Sequence, residues 1–304
     1  MKKANIKIAM LLLIAATTTA ACGSADDNKD NSESTAQTVR VTAAVDNMQT
    51  RATDATTDNL SEFGLYINPD VSAVSPVWNN SQVNKTSGAW SLATPITWYT
   101  DKTAFAVAYA PYQTVSPVNT SDATMTLSAN TSETSEPKDW LYFYQATYNP
   151  KADTPLPVTF SHAMSRLRIN ISMNTELAGY SVTKVWVEGT MTNGTLTMSA
   201  TPAVTASGDV ANVYATHTDE TVANAWSAYL VPQNVSAGTL KIHITVSKDG
   251  TSHSYTYSHT AAVTFEMGKA YGLSLTLGKY AVTLNASGIT GLTGWDTDNT
   301  ESLG

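Results

Sequence analysis

Short runs in which apolar and polar residues alternate recur from one end of this chain to the other, and they constrain the fold more than any other feature. Ala104-Phe-Ala-Val-Ala-Tyr109, Leu167-Arg-Ile-Asn-Ile171, Val185-Trp-Val187, Leu240-Lys-Ile-His-Ile-Thr-Val246, Ser254-Tyr-Thr-Tyr257 and Tyr271-Gly-Leu-Ser-Leu-Thr-Leu277 all repeat with a period of two. Asn, Gly, Pro and Asp separate them, and no long stretch carries a helical period. A side-chain period of two belongs to strands that bury one face, so the expectation is an all-β protein built as sandwiches. The alternation predicts core positions at Phe105, Val107 and Tyr109, then at Leu167, Ile169, Ile171, Val185, Val187, Ile242, Ile244, Val246, Leu273, Leu275 and Leu277. Trp98, Trp140, Trp186, Trp226 and Trp295 are expected to anchor these cores.

Turn chemistry adds three local expectations. Asn193-Gly194, between two Thr-rich runs, predicts a type I′ hairpin, and Lys248-Asp249-Gly250 predicts a second one. The polar stretch from Thr120 to Asp139 reads as a long surface loop. Pro155-Leu-Pro157 marks a domain break, because paired prolines interrupt a strand ladder. The resulting division is residues 1–21, 22–37, an N-terminal β-sandwich over 38–157 and a C-terminal one over 158–304.

The first residues do not belong to that pattern. Three lysines at positions 2, 3 and 7 precede an apolar run from Ile8 to Ala16, and Thr19-Ala-Ala-Cys22 follows with small residues. That order is an export signal, and its apolar run is too short to span a bilayer. Cys22 is the single cysteine of the chain; placed at the cleavage point, it resembles a bacterial lipobox, in which that residue carries the lipid. Once it is acylated, neither a disulfide nor a thiol nucleophile is left. Without residues 1–21 the chain has 14 basic residues against 25 acidic ones, a net charge of −11. This acidity excludes the electrostatic footprint of a nucleic-acid-binding protein. The polar segment 22–37, with its acidic run Asp26-Asp27-Asn28-Lys29-Asp30, reads as a flexible tether.

Beyond the tether, Val39, Val41 and Val45 make a short strand that ends in a loop carrying Arg51. A lone arginine in a flexible loop suits a trypsin-like protease, although spacing alone leaves Arg51 equally a solvated loop residue. Near the other end, Val282, Leu284, Ala286, Ile289 and Leu292 alternate roughly between Tyr280 and Trp295, and Asp296–Gly304 forms a polar tail.

Enzyme and metal chemistry find little footing. His162, His217, His243, His253 and His259 lack the spacing of a zinc site and read as strand-surface or turn residues. Asp296-Thr-Asp298-Asn299 lacks the Gly and the distant Glu of a calcium-binding EF-hand loop, and no nucleophile elbow or phosphate-cradling loop appears. The reading is therefore not an enzyme, with no cofactor and no metal, though a pair of carboxylates distant in sequence stays open. The aromatic clusters Tyr142, Phe143, Tyr144 and Tyr148, and Tyr255 with Tyr257, fit core packing and cross-strand pairs; exposed, they would suit a sugar ring.

In order along the chain, Cys22, Thr50-Arg-Ala52, Glu62-Phe-Gly-Leu-Tyr66, Phe105-Ala-Val-Ala-Tyr-Ala-Pro-Tyr112, Asp139-Trp-Leu-Tyr142, Val158-Thr-Phe-Ser-His-Ala-Met-Ser-Arg-Leu167, Tyr229-Leu-Val-Pro-Gln233, Phe265-Glu-Met-Gly-Lys-Ala-Tyr271 and Val282-Thr-Leu284 with Gly294-Trp295 together resemble the fimbrillin family, the type V pilus subunits of Bacteroidia. The resemblance implies two tandem transthyretin-like β-sandwiches, export as an outer-membrane lipoprotein acylated at Cys22, and cleavage between Arg51 and Ala52. It further implies that the strand within 38–51 (Val39, Val41, Val45) is removable and that segment 280–295 is donated to a neighbouring fimbrial subunit. The alternative is a surface tip adhesin or a lipoprotein that binds host or bacterial glycan without polymerising.

Overall fold

The structure, a computed structural model, describes residues 37–46, 59–68, 78–98, 103–135, 137–149, 154–217, 224–285, 288–292, 295 and 300–301. Cys22, Arg51, Ala52 and Ala286 lie outside the described residues, as do all of residues 1–36, on which the expected leader and most of the expected tether fall. The described residues are almost wholly β, and Thr175–Leu177 is their one helical turn, a 3-10 turn.

Three main sheets are formed. The first runs in the order Val41–Val45, Leu156–His162, Leu141–Tyr148, Ala104–Ala110, Glu62–Asn68, Trp78–Thr86, Ala89–Leu92. The second runs Thr251–Ser258, Lys241–Lys248, Ser181–Thr197, Thr124–Ser128, Val118–Asn119, with Ala203–Tyr214 also paired to Ser181–Thr197. The third runs Thr216–His217, Ala225–Leu230, Ser165–Met173, Ala270–Leu277, Thr290–Leu292, Thr300–Glu301, and Val282–Leu284 pairs elsewhere on Ala270–Leu277. Within the third sheet Ser165–Met173 and Ala270–Leu277 are parallel.

Alternation places the second and third sheets face to face. Val185, Val187, Ile242, Ile244 and Val246 point from one sheet at Leu167, Ile169, Ile171, Leu273, Leu275 and Leu277 from the other. All eleven were expected core positions, and each is buried. At about 1.5–3 kcal/mol for each fully buried aliphatic side chain, this layer is a major driving force for folding.

The first sheet departs from the expectation of one dry face and one wet face. All seven residues of Ala104–Ala110 are buried. Ala104, Ala106, Ala108 and Ala110 line the core of the first sheet, with Phe63, Leu65, Trp98 and Phe160. Phe105, Val107 and Tyr109 point the opposite way, into a further core shared with Met125, Leu127, Leu196, Tyr229 and Trp295. The small residues of this central strand therefore face one core and its large residues face another. A strand covered on both sides reads as a continuous apolar run, and Ala104–Ala110 is one.

Further expectations are corrected. Asn193–Gly194 is not a turn, because Ser181–Thr197 runs straight through it as a 17-residue strand. Neighbours on both edges hold it extended: Asn193 pairs with Ser128 on one side and with Ser207 on the other. Gly194 serves close packing instead, since a Cβ there would lie 2.6 Å from Val231 Cγ1. Gly194→Ala is expected to cost about 1–3 kcal/mol through overpacking, read as a lower urea midpoint with an unchanged m-value. By contrast, Asp249 and Gly250 do turn, with φ of 50° and 80°, and join Lys248 to Thr251.

The Thr120–Asp139 stretch is not wholly loop, because Thr124–Ser128 is a strand whose Met125 and Leu127 are buried. That strand pairs with Ser181–Thr197, while Leu156–His162 belongs to the first sheet. A cut at 157/158 therefore does not separate the sheets; the chain leaves the first sheet for the third at Ala163-Met164. Trp186 is half-buried rather than a core anchor. It stands on the outer face of the second sheet, stacked on its cross-strand partner His243 at 4.8 Å, with Lys184 5.2 Å from its ring. Finally, His162 and His259 are buried, not surface residues.

Candidate functional site: the edge strand of the first sheet

Val41–Val45 forms an outer edge of the first sheet. It pairs in parallel with Leu156–Phe160, from Val41 opposite Leu156 to Val45 opposite Phe160, while the other pairings in that sheet are antiparallel. Parallel ladders are slightly weaker per residue than antiparallel ones, so the edge with the least backbone reinforcement is the one made by Val41–Val45. Just before it, Gln37–Thr38 pairs with Thr97–Trp98. The break between the two pieces is tied down by Val39 N–H donating to the Ile96 carbonyl at 2.9 Å and Leu156 N–H donating to the Arg40 carbonyl at 2.8 Å. Downstream, Asp46 N–H donates to the Phe160 carbonyl at 2.7 Å.

Its side chains alternate as the sequence requires. Val39 and Val41 are 3% and 6% exposed and belong to the core of the first sheet; Ala43 and Val45 pack more loosely against that core, and Arg40 and Thr42 face outward. The hold is therefore concentrated at the first half of the segment. Two buried valines contribute on the order of 3–6 kcal/mol.

A residue that sequence reasoning missed closes the other side. Trp90, in the last strand of the sheet, packs on Phe63 with ring centroids 5.2 Å apart, and its indole N–H donates to the Ala43 carbonyl at 3.2 Å. The two outer edges of the curled sheet thus approach one another. Between them lies a cavity of about 360 Å3 lined by Val39, Val41, Trp90, Leu92, Pro95 and Pro155. Nothing in the sequence links Trp90 to Ala43, because the contact exists only once the sheet has curled. What this arrangement can do is hold an extended segment by backbone pairing on one side and apolar contact beneath. Lifting the segment out would expose the unpaired edge of Leu156–Phe160 beside an apolar trough, which is the template for strand addition.

The C-terminal segment is placed differently from the continuous alternating strand expected. Val282–Leu284 and Thr290–Leu292 are separate short strands, paired with Ala270–Leu277 through three and two residues respectively. Val282 and Ile289 pack against the core between the second and third sheets, Leu292 against the shared core, and Leu284 is 39% exposed. Trp295 is buried within the shared core. The segment thus lies on the third sheet of its own chain.

His259 lies close to this segment, its Cε1 3.3 Å from where a side chain on Gly288 would begin, with Tyr257 Oη 3.2 Å from its Nδ1. Burial pushes the His259 imidazole below its ordinary value of 6.5. The unfolded chain then takes up the proton first as pH falls. Stability from this group is present above the unfolded value and is lost as pH drops toward the lower folded value. Thermal unfolding is expected to shift downward between about pH 7 and about pH 5, with a shallower slope in His259→Gln; identical slopes would remove His259 as the cause.

The clustered aromatics are mostly structural. Phe143, Tyr148 and Tyr255 are buried core residues, and Tyr142, Tyr144 and Tyr257 pack against cores. That leaves the edge strand and its trough as the feature with functional geometry. Among the described residues no group of His, Cys, Asp and Glu is placed to hold a metal ion.

Fold and site together define an all-β protein of packed sheets with Val41–Val45 docked as an edge strand. The sequence matches the fimbrillin-like family over residues 50–294, and the chain belongs to that family. Its fold is similar to that of a candidate cell adhesion protein from Bacteroides uniformis, at 17% identity and a TM-score of 0.59, over 84% of this chain and 97% of that one. A second, from Bacteroides ovatus, has 16% identity and a TM-score of 0.58 over 84% and 96% of the two chains. A third, from Bacteroides fragilis, has 13% identity and a TM-score of 0.52 over 86% and 99%. A search of curated proteins finds no match.

Proposed function

We propose that this chain is a structural subunit of a surface fimbria, polymerised by strand exchange. In this reading Cys22 carries the lipid that anchors the precursor to the outer membrane, and cleavage between Arg51 and Ala52 makes the segment holding Val39, Val41 and Val45 displaceable. The trough it leaves accepts an extended segment of another subunit. The donor is residues 280–295, with Val282, Leu284, Ala286, Ile289 and Leu292 as its apolar side chains. Membership in the fimbrillin-like family supports the fimbrial role. The observation that carries the exchange is the edge position and parallel pairing of Val41–Val45. Donor and acceptor are different surfaces, so the contact is heterologous and propagates as an open filament.

Cleavage alone does not empty the trough. A segment held by two buried valines and a short ladder stays bound after its covalent link is cut, and leaves only when a competing strand satisfies the same groups. The deciding experiment is limited trypsin treatment of purified precursor followed by an unboiled denaturing gel. A ladder that depends on Arg51 supports the reading; a clipped but permanently monomeric product sinks it.

A second reading is favoured by one observation, the burial of Trp295 at the end of the candidate donor. A subunit that keeps its C-terminal segment could accept a strand but not give one. Such a subunit would end a fibre, as an adhesin at its tip or as a lipoprotein that contacts host or bacterial glycan.

A further inference from the structure

We propose that Trp295 is a latch: its seat in the shared core, rather than the strand pairings before it, holds the C-terminal segment on its own protomer. The inference rests on reading residues 280–295 as the segment given to a neighbour. The seat is made by residues far apart in the chain. The indole stacks on the His162 imidazole with centroids 4.0 Å apart and planes 19° apart, and Tyr229 lies on its flank at 6.3 Å. Asp139 fixes the imidazole, its carboxylate oxygens lying 2.9 and 3.0 Å from His162 Nδ1. The fully buried Arg166 donates from Nη1 to the Trp295 carbonyl at 2.6 Å and from Nε to Ser227 Oγ at 3.0 Å. The ring and the backbone oxygen of one residue are thus engaged by side chains from the first and third sheets.

Upstream the hold is thin. Val282–Leu284 pairs with Ala270–Leu277 through three residues and Thr290–Leu292 through two, with only Thr300–Glu301 on its far side, and Tyr280 and Leu284 are 86% and 39% exposed. Short pairings open easily, whereas a buried indole with aromatic neighbours and a charged hydrogen bond to its backbone resists release. The opening of the whole segment is therefore controlled from its far end. Donation requires the indole to leave its seat, and a subunit in which it stays seated accepts a strand without giving one.

Hydrogen exchange on the isolated, uncleaved protomer tests the latch. In Trp295→Ala, amides of Thr290–Leu292 and Val282–Leu284 are expected to exchange roughly 100-fold faster, with Ala104–Ala110 unchanged. Trp295→Phe, which keeps an aromatic ring, is expected to fall between the two. The latch is overturned if the C-terminal amides exchange as in the parent, or if Ala104–Ala110 accelerates with them. In the latter case Trp295 would be a general core residue. Assembly is scored separately after trypsin. Faster C-terminal exchange without oligomers would sustain the latch and refute donation, and oligomers with unchanged exchange would do the reverse.

Discussion

Purified precursor cut by trypsin is expected to give a ladder of oligomers on an unboiled denaturing gel, and Arg51→Gln is expected to give only monomer. Arg40 is the informative control. It is exposed, yet its carbonyl is held by Leu156 N–H and its neighbours Val39 and Val41 are buried. A protease needs several residues of extended, accessible backbone, so Arg40→Gln should assemble like the parent. The trough can also be tested by competition. A synthetic peptide spanning Thr38–Asp46, in excess, should refill the emptied edge of Leu156–Phe160 and suppress the ladder. A version with Val39 and Val41 changed to Asp should not suppress it, because two charges would be placed against the apolar core. Should the Arg51→Gln precursor still assemble, the processing site would be wrong. A ladder indifferent to the peptide would mean that the trough is not the acceptor.

The largest stability change is expected at Phe160. Its ring is fully buried, packs edge-on against Phe63 with centroids 5.2 Å apart, and sits in the strand that carries Val41–Val45. Phe160→Ala removes that contact and opens a cavity, at a cost of about 3–5 kcal/mol. For a chain of this size that is a fall in Tm of roughly 10 °C, measurable by calorimetry or circular dichroism. The same substitution widens the trough beneath Val45, so the clipped segment should also dissociate faster. A loss of under about 1 kcal/mol would mean that the core of the first sheet collapses around the gap.

Much of this was legible in the residues themselves, and the exceptions have physical reasons. Leu240–Val246 and Tyr271–Leu277 announce their buried faces because each strand faces a single core, so polarity and burial coincide residue by residue. Ala104–Ala110 hides its second face because small and large apolar residues alternate there, and a polarity pattern does not say that both sides are dry. Asn193-Gly194 misleads because a local turn preference of a kcal/mol or so loses to two flanking ladders. Val39, Val41 and Val45 were visible as a strand, but Trp90, which reaches Ala43 from the opposite edge, was not. His162 carried no sign of its pairing with Asp139 or of the indole stacked on it.

The sequence by itself determined that the chain beyond its first residues is β, that its family is fimbrillin-like, and which segments stand near its two ends as candidate strands. These properties follow from local alternation and ordered motifs, which survive without knowledge of neighbours. Only the tertiary structure decided that Val41–Val45 is a parallel edge over an apolar trough and that segment 280–295 is folded back with Trp295 buried. Sheet order and side-chain seats are made by residues distant in sequence, and their pairing is settled by the packing of the whole chain.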